Sequence, residues 1–149
     1  MSRIIRSVKP YFPWEDVEEV KKIVGKILQS GMLTNYTYTK NLEKRFAELC
    51  NVKQAVAVNS GTAALEAALI TVGLKSGDEV LVPTNTFSAT AAAVVFAGGK
   101  LVLTDIDAEN LCINTENIQE YLTPRTRGVV VVHIGGLICP DIKAIKEIC

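Results

Sequence analysis

The sequence predicts an α/β fold in three layers (α/β/α), in which helices cover both faces of a mostly parallel sheet. From residue 54 onward, short runs of Val, Leu and Ala alternate with segments of helix length. Apolar strands separated by helices are typical of parallel sheets that are buried on both faces. The composition agrees, because 48% of the 149 residues are hydrophobic and 21% are charged, as in ordinary globular domains.

Helices are predicted before this alternation begins, and they form an amino-terminal helical segment over residues 1–53. The first runs from Pro13 to Gln29, where apolar residues recur at helical spacing until Ser30-Gly31 ends the pattern. Thr34–Tyr38 is polar and aromatic without a helical period, and it is predicted to be a loop. The second helix is predicted over Thr39–Cys50.

Strands and helices then alternate over residues 54–149, which we expect to be the first part of a larger, truncated α/β domain. The predicted strands are Ala55–Val58, Glu79–Val82, Lys100–Leu103 and Gly128–Val132. The predicted helices are Thr62–Val72, Ser88–Ala97, Thr115–Tyr121 and one that begins near Asp141. Because a parallel sheet normally continues after such a helix, we expect the sheet to be incomplete within this chain.

Charge and cysteine usage argue against several classes of partner. Lys plus Arg and Asp plus Glu both number 16, and no long basic run appears, so neither a nucleic-acid partner nor a membrane surface is predicted. Met1–Arg6 lacks the apolar core of a signal peptide, which favours a cytoplasmic location. The 4 cysteines are far apart and the chain has 1 histidine, so free thiols are predicted and no metal site is.

A candidate anion site lies where the first predicted strand meets its helix, at Asn59-Ser60-Gly61-Thr62. Ser60 or Thr62 can cap the helix with its side-chain oxygen, and Gly61 lets a ligand approach the backbone. Unpaired first-turn N–H groups and the helix dipole favour a phosphate there. The alternative is a capped helix without a ligand, and the turn alone does not decide between the two.

Further candidates lie near the carboxyl ends of the predicted strands, the edge at which parallel sheets bind ligands. Phe87 is either a lid over a planar ligand or a residue packed on the core at a helix start. His133 is either a structural hydrogen-bonding group or a contact of a cofactor. Asp105 and Asp107 allow a metal or acid–base site, but a solvated acidic turn is favoured. The chain lacks the G-x-S-x-G, Walker and G-x-G-x-x-G motifs of hydrolases, P-loop proteins and dinucleotide-binding proteins.

A series of short motifs resembles, in order and spacing, that of the DegT-like PLP-dependent sugar aminotransferases, which are enzymes of fold type I. The motifs are Ser30–Thr34, Asn59–Leu65, Gly77–Val80, Pro83–Thr90, Asp105–Asp107, Thr123–Thr126 and His133–Gly136. One such motif is weak evidence, whereas the ordered set covers nearly the whole chain. The resemblance implies the amino-terminal part of the large domain of a fold-type I PLP-dependent transferase, an α/β domain that is incomplete here.

The resemblance also implies a cofactor, pyridoxal 5′-phosphate (PLP), and the residues that bind it, namely Ser60, Gly61, Thr62, Phe87 and His133. The first three would hold the phosphate, the phenyl ring would stack on the pyridine ring, and the imidazole would lie near the cofactor. Thr34–Tyr38 would help to form the substrate mouth. The implied activity is transfer of an amino group from an amino acid such as glutamate to a keto-sugar carried on a nucleotide, by an enzyme that is a homodimer when complete.

No catalytic residue is predicted within this chain. The resemblance implies that the Schiff-base lysine and the aspartate at the pyridine nitrogen lie beyond Cys149, so we expect this chain alone to be inactive. The family role does not transfer to Lys75, Lys100, Lys143 or Lys146. Two alternatives stay open: a non-catalytic module or regulator that binds phosphate or PLP, and a dehydratase-type member of the same family.

Overall fold

The computed structural model describes residues 9–34 and 36–149. These residues divide into two compact units, of which the first ends at Ala57 and the second runs from Val58 to Cys149. The predictions that concern Met1–Arg6 and Asn35 fall outside the described residues. Within the described ranges, no helix combines the length and the apolar composition that crossing a bilayer requires.

The first helix, α1, spans Trp14–Ser30 and agrees with its prediction. Glu15 and Asp16 occupy its first turn, where negative charge interacts favourably with the helix dipole. The helix ends at Gly31, whose φ of 67° is left-handed and whose N–H donates to the carbonyl of Leu28. Glycine adopts this conformation without strain, which explains why Ser30-Gly31 predicted the end of the helix.

The second helix, α2, spans Thr37–Leu49 and begins earlier than predicted. The amide N–H of Lys40 donates to the carbonyl of Tyr36 at 3.1 Å and closes a helical turn ahead of the predicted start at Thr39. The prediction that Thr34–Tyr38 is a loop is therefore wrong at its last two residues. Polar and aromatic side chains hide this turn from a pattern search because they do not repeat at helical spacing.

No strand forms at Ala55–Val58, and this prediction is wrong. The sheet of the described residues contains no neighbour that pairs with this segment. The amide of Ala57 instead donates to Oε1 of Glu43 in α2 at 2.9 Å, while Val56 and Val58 are exposed. Small and β-branched residues favour a strand, but a strand also needs a hydrogen-bonded neighbour, which the local sequence does not reveal.

The second unit is built on a parallel sheet, as the sequence predicted. Its central strand, β1 (Glu79–Pro83), lies between β2 (Lys100–Thr104) and β3 (Thr126–Val129). β1 is buried over its whole length, which is the position expected for the middle strand of a sheet that is covered on both faces.

The last strand, β3, spans Thr126–Val129 rather than the predicted Gly128–Val132. Beyond its end, the amide of Val130 still donates to the carbonyl of Leu81 at 2.9 Å. β1 ends at Pro83, however, and proline has no N–H with which to continue the ladder. Val130–Val132 therefore lie outside β3, although their own sequence favours a strand.

Helices cover both faces of this sheet and confirm the three-layer prediction. They are α3 (Gly61–Thr71), α4 (Ser88–Phe96), α5 (Thr115–Tyr121) and α6 (Ile142–Ile148). On one face, Val80 and Val82 of β1 pack with Val94 of α4. On the other face, Leu81 packs in a cluster that contains Ile118 of α5 and Ile145 of α6. Alternate residues of β1 thus face opposite layers, as the pleat of a strand requires.

At the amino edge of the sheet, the buried carboxylate of Glu79 accepts hydrogen bonds from the side chains of three residues. The hydroxyl of Thr123 donates to Oε2, while Nη2 of Arg125 and Nζ of Lys100 donate to Oε1 at 2.8 Å and 3.0 Å. The hydrogen bond from Thr123, and then those from Arg125 and Lys100, lower the pKa of Glu79 from 4.5 to about 2. Lys100 is therefore held at the edge opposite to the candidate ligand site.

Acid unfolding is expected to depend on Glu79. Because its pKa is lower in the folded chain, its contribution to the free energy of unfolding is complete above about pH 4.5 and is lost as the pH falls towards about 2. Glu79→Gln keeps the shape but cannot ionise, so the stability difference between the wild type and the variant should shrink across that window. Urea unfolding at a series of pH values measures it, and a difference independent of pH would contradict it.

A second prediction concerns Thr104, the last residue of β2, which is buried and whose hydroxyl has no hydrogen-bond partner within the described part of the chain. A buried unpaired polar group costs about 1–3 kcal/mol. Thr104→Val removes the hydroxyl and keeps the shape, so it should raise the free energy of unfolding by about 1 kcal/mol in urea denaturation. Thr90→Val is the matched control, because the Thr90 and Thr86 hydroxyl oxygens lie 2.8 Å apart. It should destabilise, and a gain of stability in both variants would count against this account.

Candidate functional site

α3 and α4 both begin at the carboxyl edge of the sheet. α4 starts just after β1 ends, whereas α3 ends just before β1 begins, so their first turns lie at the same edge. The two helices pack against each other. Ser60 and Phe87, which directly precede these helices, are therefore placed at the edge where parallel sheets bind ligands.

Ser60 is the N-cap of α3. Its backbone is extended, with φ −159° and ψ 159°, and its Oγ accepts a hydrogen bond from the amide of Ala63 at 3.1 Å. The carbonyl of Ser60 accepts from the amide of Ala64 at 3.1 Å. The amides of Gly61 and Thr62 come before the first intrahelical bond and have no acceptor among the described residues. These two N–H groups are available to a ligand at the positive end of the helix dipole.

Gly61 leaves the surface beside the first turn of α3 open. A Cβ built on Gly61 would meet no atom within 4 Å outside its chain neighbours and the nearby backbone of α3. Open space, free N–H groups and the helix dipole are together the features of a phosphate site at a helix N-terminus. The residues present thus fit a phosphate group.

Phe87 is the N-cap of α4 and lies on the surface. Its side chain is 78% exposed, and its carbonyl accepts from the amide of Thr90 at 2.9 Å. An aromatic residue that packed on the core at a helix start would be buried, so that interpretation is wrong. The exposed ring offers a flat apolar face at the carboxyl edge, which suits stacking on a planar ligand.

His133 follows the valine run and is exposed, at the same edge as the other candidates. Its Nδ1 accepts a hydrogen bond from the amide of Cys139 at 3.0 Å. This nitrogen therefore has the structural hydrogen-bonding role that was one of the two alternatives for His133. Among the described residues, no hydrogen bond joins His133 to Ser60 or Phe87. Phe87 follows β1 and His133 follows β3, so each comes after the carboxyl end of one of two neighbouring parallel strands.

Asp105 and Asp107 form the acidic turn that the sequence favoured. Oδ1 of Asp107 accepts from the amides of Glu109 and Asn110 at 2.8 Å and 3.0 Å, and Oδ1 of Asp105 accepts from the amide of Ile106. The hydrogen bond from the Asn110 amide, and then that from Glu109, lower the pKa of Asp107. Both carboxylates are therefore used by the local backbone. In the ranges that the structure describes, no three His, Cys, Asp or Glu side chains gather as a metal site would require.

The sequence did not reveal two residues that organise this edge. Nδ2 of Asn85 donates to the carbonyl of Leu111 at 3.3 Å, which ties the turn before α4 to the loop after β2 across 26 residues. Cys139 supports His133 through its backbone amide. Asparagine in a turn and cysteine in a loop are too common in sequences to predict such partners. In the structure, the loop after β2 is marked by Leu111, whose φ of 60° is positive and therefore unusual for a residue other than glycine.

Comparison with known proteins agrees with the resemblance. The model of the DegT/DnrJ/EryC1/StrS aminotransferase family matches residues 15–149. The chain is 34% identical over 134 residues to the 3-oxo-glucose-6-phosphate:glutamate aminotransferase of Bacillus subtilis strain 168, covering 90% of this chain and 30% of that protein. It is 42% identical over 106 residues to the GDP-perosamine synthase of Caulobacter vibrioides, covering 71% of this chain and 28% of that protein. The chain therefore spans less than a third of the length of these curated relatives.

A solved structure extends the agreement to the fold. The crystal structure of NtdA from Bacillus subtilis, with the bound cofactor PMP, superposes with a TM-score of 0.85 at 33% sequence identity. The match covers 98% of this chain and 34% of that chain. The prediction of an α/β domain of the fold-type I class, present in part, is thereby confirmed.

Proposed function

This chain belongs to the DegT/DnrJ/EryC1/StrS aminotransferase family, and we therefore propose that it carries the cofactor-phosphate part of a PLP-dependent sugar aminotransferase. The complete protein would move an amino group from an amino acid such as glutamate to a keto-sugar carried on a nucleotide. One relative is named for 3-oxo-glucose-6-phosphate and glutamate, which supports the keto-sugar and the amino donor. Another is named for GDP-perosamine, which supports the nucleotide carrier.

The observation that carries the proposal is the first turn of α3. Ser60 caps the helix through the amide of Ala63, which leaves the amides of Gly61 and Thr62 to the ligand. The space above Gly61 is open, and the chain places no acidic residue in the first turn of this helix. A phosphate dianion would be bound there by backbone N–H groups and by the helix dipole.

The other cofactor-binding residues orient the ring. The exposed Phe87 would cover one face of the pyridine ring and exclude water from it, and His133 would lie beside the ring at the same edge of the sheet. When bound, the cofactor supplies the electron sink that amino-group transfer requires. Lys100 takes no part in our proposal, because it pairs with Glu79 at the amino edge.

We place the complete enzyme in the cytoplasm as a homodimer. The 4 cysteines are free thiols, which supports a reducing compartment. Val20, Val24 and Leu28 are exposed at helical spacing along one side of α1, which supports the burial of this helix against further protein.

Binding of the cofactor to this chain tests the proposal. Pyridoxamine 5′-phosphate is the suitable probe, because it has no aldehyde that would react with surface lysines. We expect fluorescence titration to show at least about tenfold tighter binding of pyridoxamine 5′-phosphate than of pyridoxamine, since charge-assisted hydrogen bonds contribute about 1.5–3 kcal/mol. Inorganic phosphate should compete.

Ser60→Ala should weaken this binding, because the first turn loses its N-cap and its amides lose their fixed orientation. Ser76→Ala is the matched control, since Ser76 is an exposed serine in the turn before β1 at the other edge of the sheet. Equal affinities for the two probes, or equal losses in the two variants, would contradict a phosphate site at α3.

A further inference from the structure

His133 is the only histidine of the chain, and a short loop folds back onto its ring. The loop begins with the one-turn 3-10 helix Ile134–Gly136, in which Gly135 and Gly136 have left-handed φ values of 59° and 88°. Side chains other than glycine rarely adopt such φ values. This turn reverses the chain and brings the amide of Cys139 to 3.0 Å from Nδ1 of His133.

The far end of the loop is fixed in the core. Cys139 is buried in the cluster that covers one face of the sheet, and its thiol donates to the carbonyl of Ile113 at 3.2 Å. Burial raises the pKa of the Cys139 thiol, so the sulfur keeps the proton with which it donates. The loop is thus held between the core at one end and the imidazole at the other.

This geometry determines which nitrogen of His133 carries the proton. A neutral imidazole has one N–H donor and one acceptor, and here Nδ1 is the acceptor for the Cys139 amide. We infer that the 134–139 loop is a positioning element that holds His133 as the Nε2–H tautomer, so that the exposed ring offers one N–H donor to an acceptor atom of a bound pyridoxyl group. The choice of ligand rests on the proposed function, whereas the tautomer does not.

The tautomer is measured without any ligand. Because the chain contains 1 histidine, its imidazole nitrogens need no assignment in a long-range proton–nitrogen-15 spectrum of the full chain. At a mildly alkaline pH, we expect two well-separated nitrogen shifts with the coupling pattern of Nε2–H. The Nδ1–H pattern, or two averaged shifts, would overturn the inference.

Two glycine variants test whether the loop causes this preference. Gly136→Ala forces a side chain into a φ of 88° and should move the nitrogen shifts towards those of a free neutral histidine, in which both tautomers are populated. Gly98→Ala is the matched control, because Gly98 has a φ of 84° and equally open surroundings but lies at the end of α4. The control should leave the shifts unchanged. No change in Gly136→Ala, or the same change in both variants, would show that the loop does not position the ring.

Two substitutions of His133 test the roles of its two ring nitrogens separately. His133→Asn keeps an oxygen near the position of Nδ1 but has no donor at that of Nε2. We expect slow hydrogen exchange at the Cys139 amide to persist, while the affinity for pyridoxamine 5′-phosphate falls about three- to tenfold. His133→Gln places its amide near Nε2 and should make the Cys139 amide exchange quickly.

The outcomes distinguish this inference from the proposed function. Wild-type affinity in His133→Asn would overturn the donor role, even if Ser60→Ala still weakens binding of pyridoxamine 5′-phosphate. A wild-type chain that binds no pyridoxamine 5′-phosphate would instead overturn the proposed function and the assigned ligand, and the nitrogen spectrum would still decide the tautomer.

Discussion

Replacing Leu81 by alanine is expected to lower the free energy of unfolding by about 3 kcal/mol, the middle of the range for buried leucines. Leu81 is the central residue of β1, with 0% of it exposed, and it packs in one cluster with Ile113, Ile118 and Ile145. The strands on either side and the helical layers prevent the core from collapsing into the space that three missing carbon atoms leave. A cavity therefore adds to the lost hydrophobic burial.

Leu103→Ala is the matched control, because it makes the same change on the edge strand β2 at a residue that is 50% exposed. It should cost less than about 1 kcal/mol, since little buried surface is lost. Far-ultraviolet circular dichroism in urea is the suitable measurement, because the single tryptophan, Trp14, lies in the first unit and does not report on the sheet. Equal losses in the two variants would show that the core around Leu81 is not what stabilises the second unit.

Helix ends were predicted well where local chemistry marks them, unlike the start of α2, which has no side-chain cap. α5 matches its prediction at both ends, since Asn114 caps it and accepts from the amide of Asn117 at 2.8 Å. Asn117 also accepts from the amide of Asn114, which completes a capping box within four consecutive residues. Signals of this kind need no knowledge of distant partners.

Strands were predicted less well because pairing depends on residues far away in sequence. Ala55–Val58 has the composition of a strand but no neighbour in the sheet of the described residues. β3 stops at Val129, the partner of Leu81, because Pro83 has no N–H with which to extend the pairing further along β1. The central strand was the exception. Its run of apolar residues is buried on both faces, so the composition and the pairing lead to the same prediction.

The candidate site shows the same difference between features that depend on local sequence and features that depend on distant residues. The helix cap at Ser60 was predictable from its own turn, whereas the sequence left open whether Phe87 is exposed or packed on the core, and only the structure shows its ring exposed. The support of His133 was not, since it depends on a loop whose path is set by two left-handed glycines and by the burial of Cys139. Local sequence thus identified the candidate side chains themselves and missed the groups that hold one of them in place.

Placing an aspartate at Gly61 is expected to abolish phosphate binding and to leave the fold intact. The new Cβ would meet no other atom within 4 Å, and a negative charge in the first turn of α3 is favourable by about 0.3–1 kcal/mol, so the melting temperature should not fall. A carboxylate about 4 Å from the bound phosphate, however, repels it by about 4 kcal/mol at an effective dielectric constant of about 20. The affinity for pyridoxamine 5′-phosphate should therefore fall by more than about a hundredfold.

Gly61→Asn separates the effect of charge from that of size, because the asparagine side chain has nearly the same shape as that of aspartate but carries no charge. It should lose only about tenfold in affinity, from the space that it fills in front of the free amides. Fluorescence titration at several salt concentrations measures the affinity of both variants for pyridoxamine 5′-phosphate. The difference between the two affinities should decrease as the Debye length falls from about 10 Å at 0.1 M to about 3 Å at 1 M. If the aspartate and asparagine variants bind equally at low salt, the anion does not lie at the first turn of α3, and the proposed phosphate site is wrong.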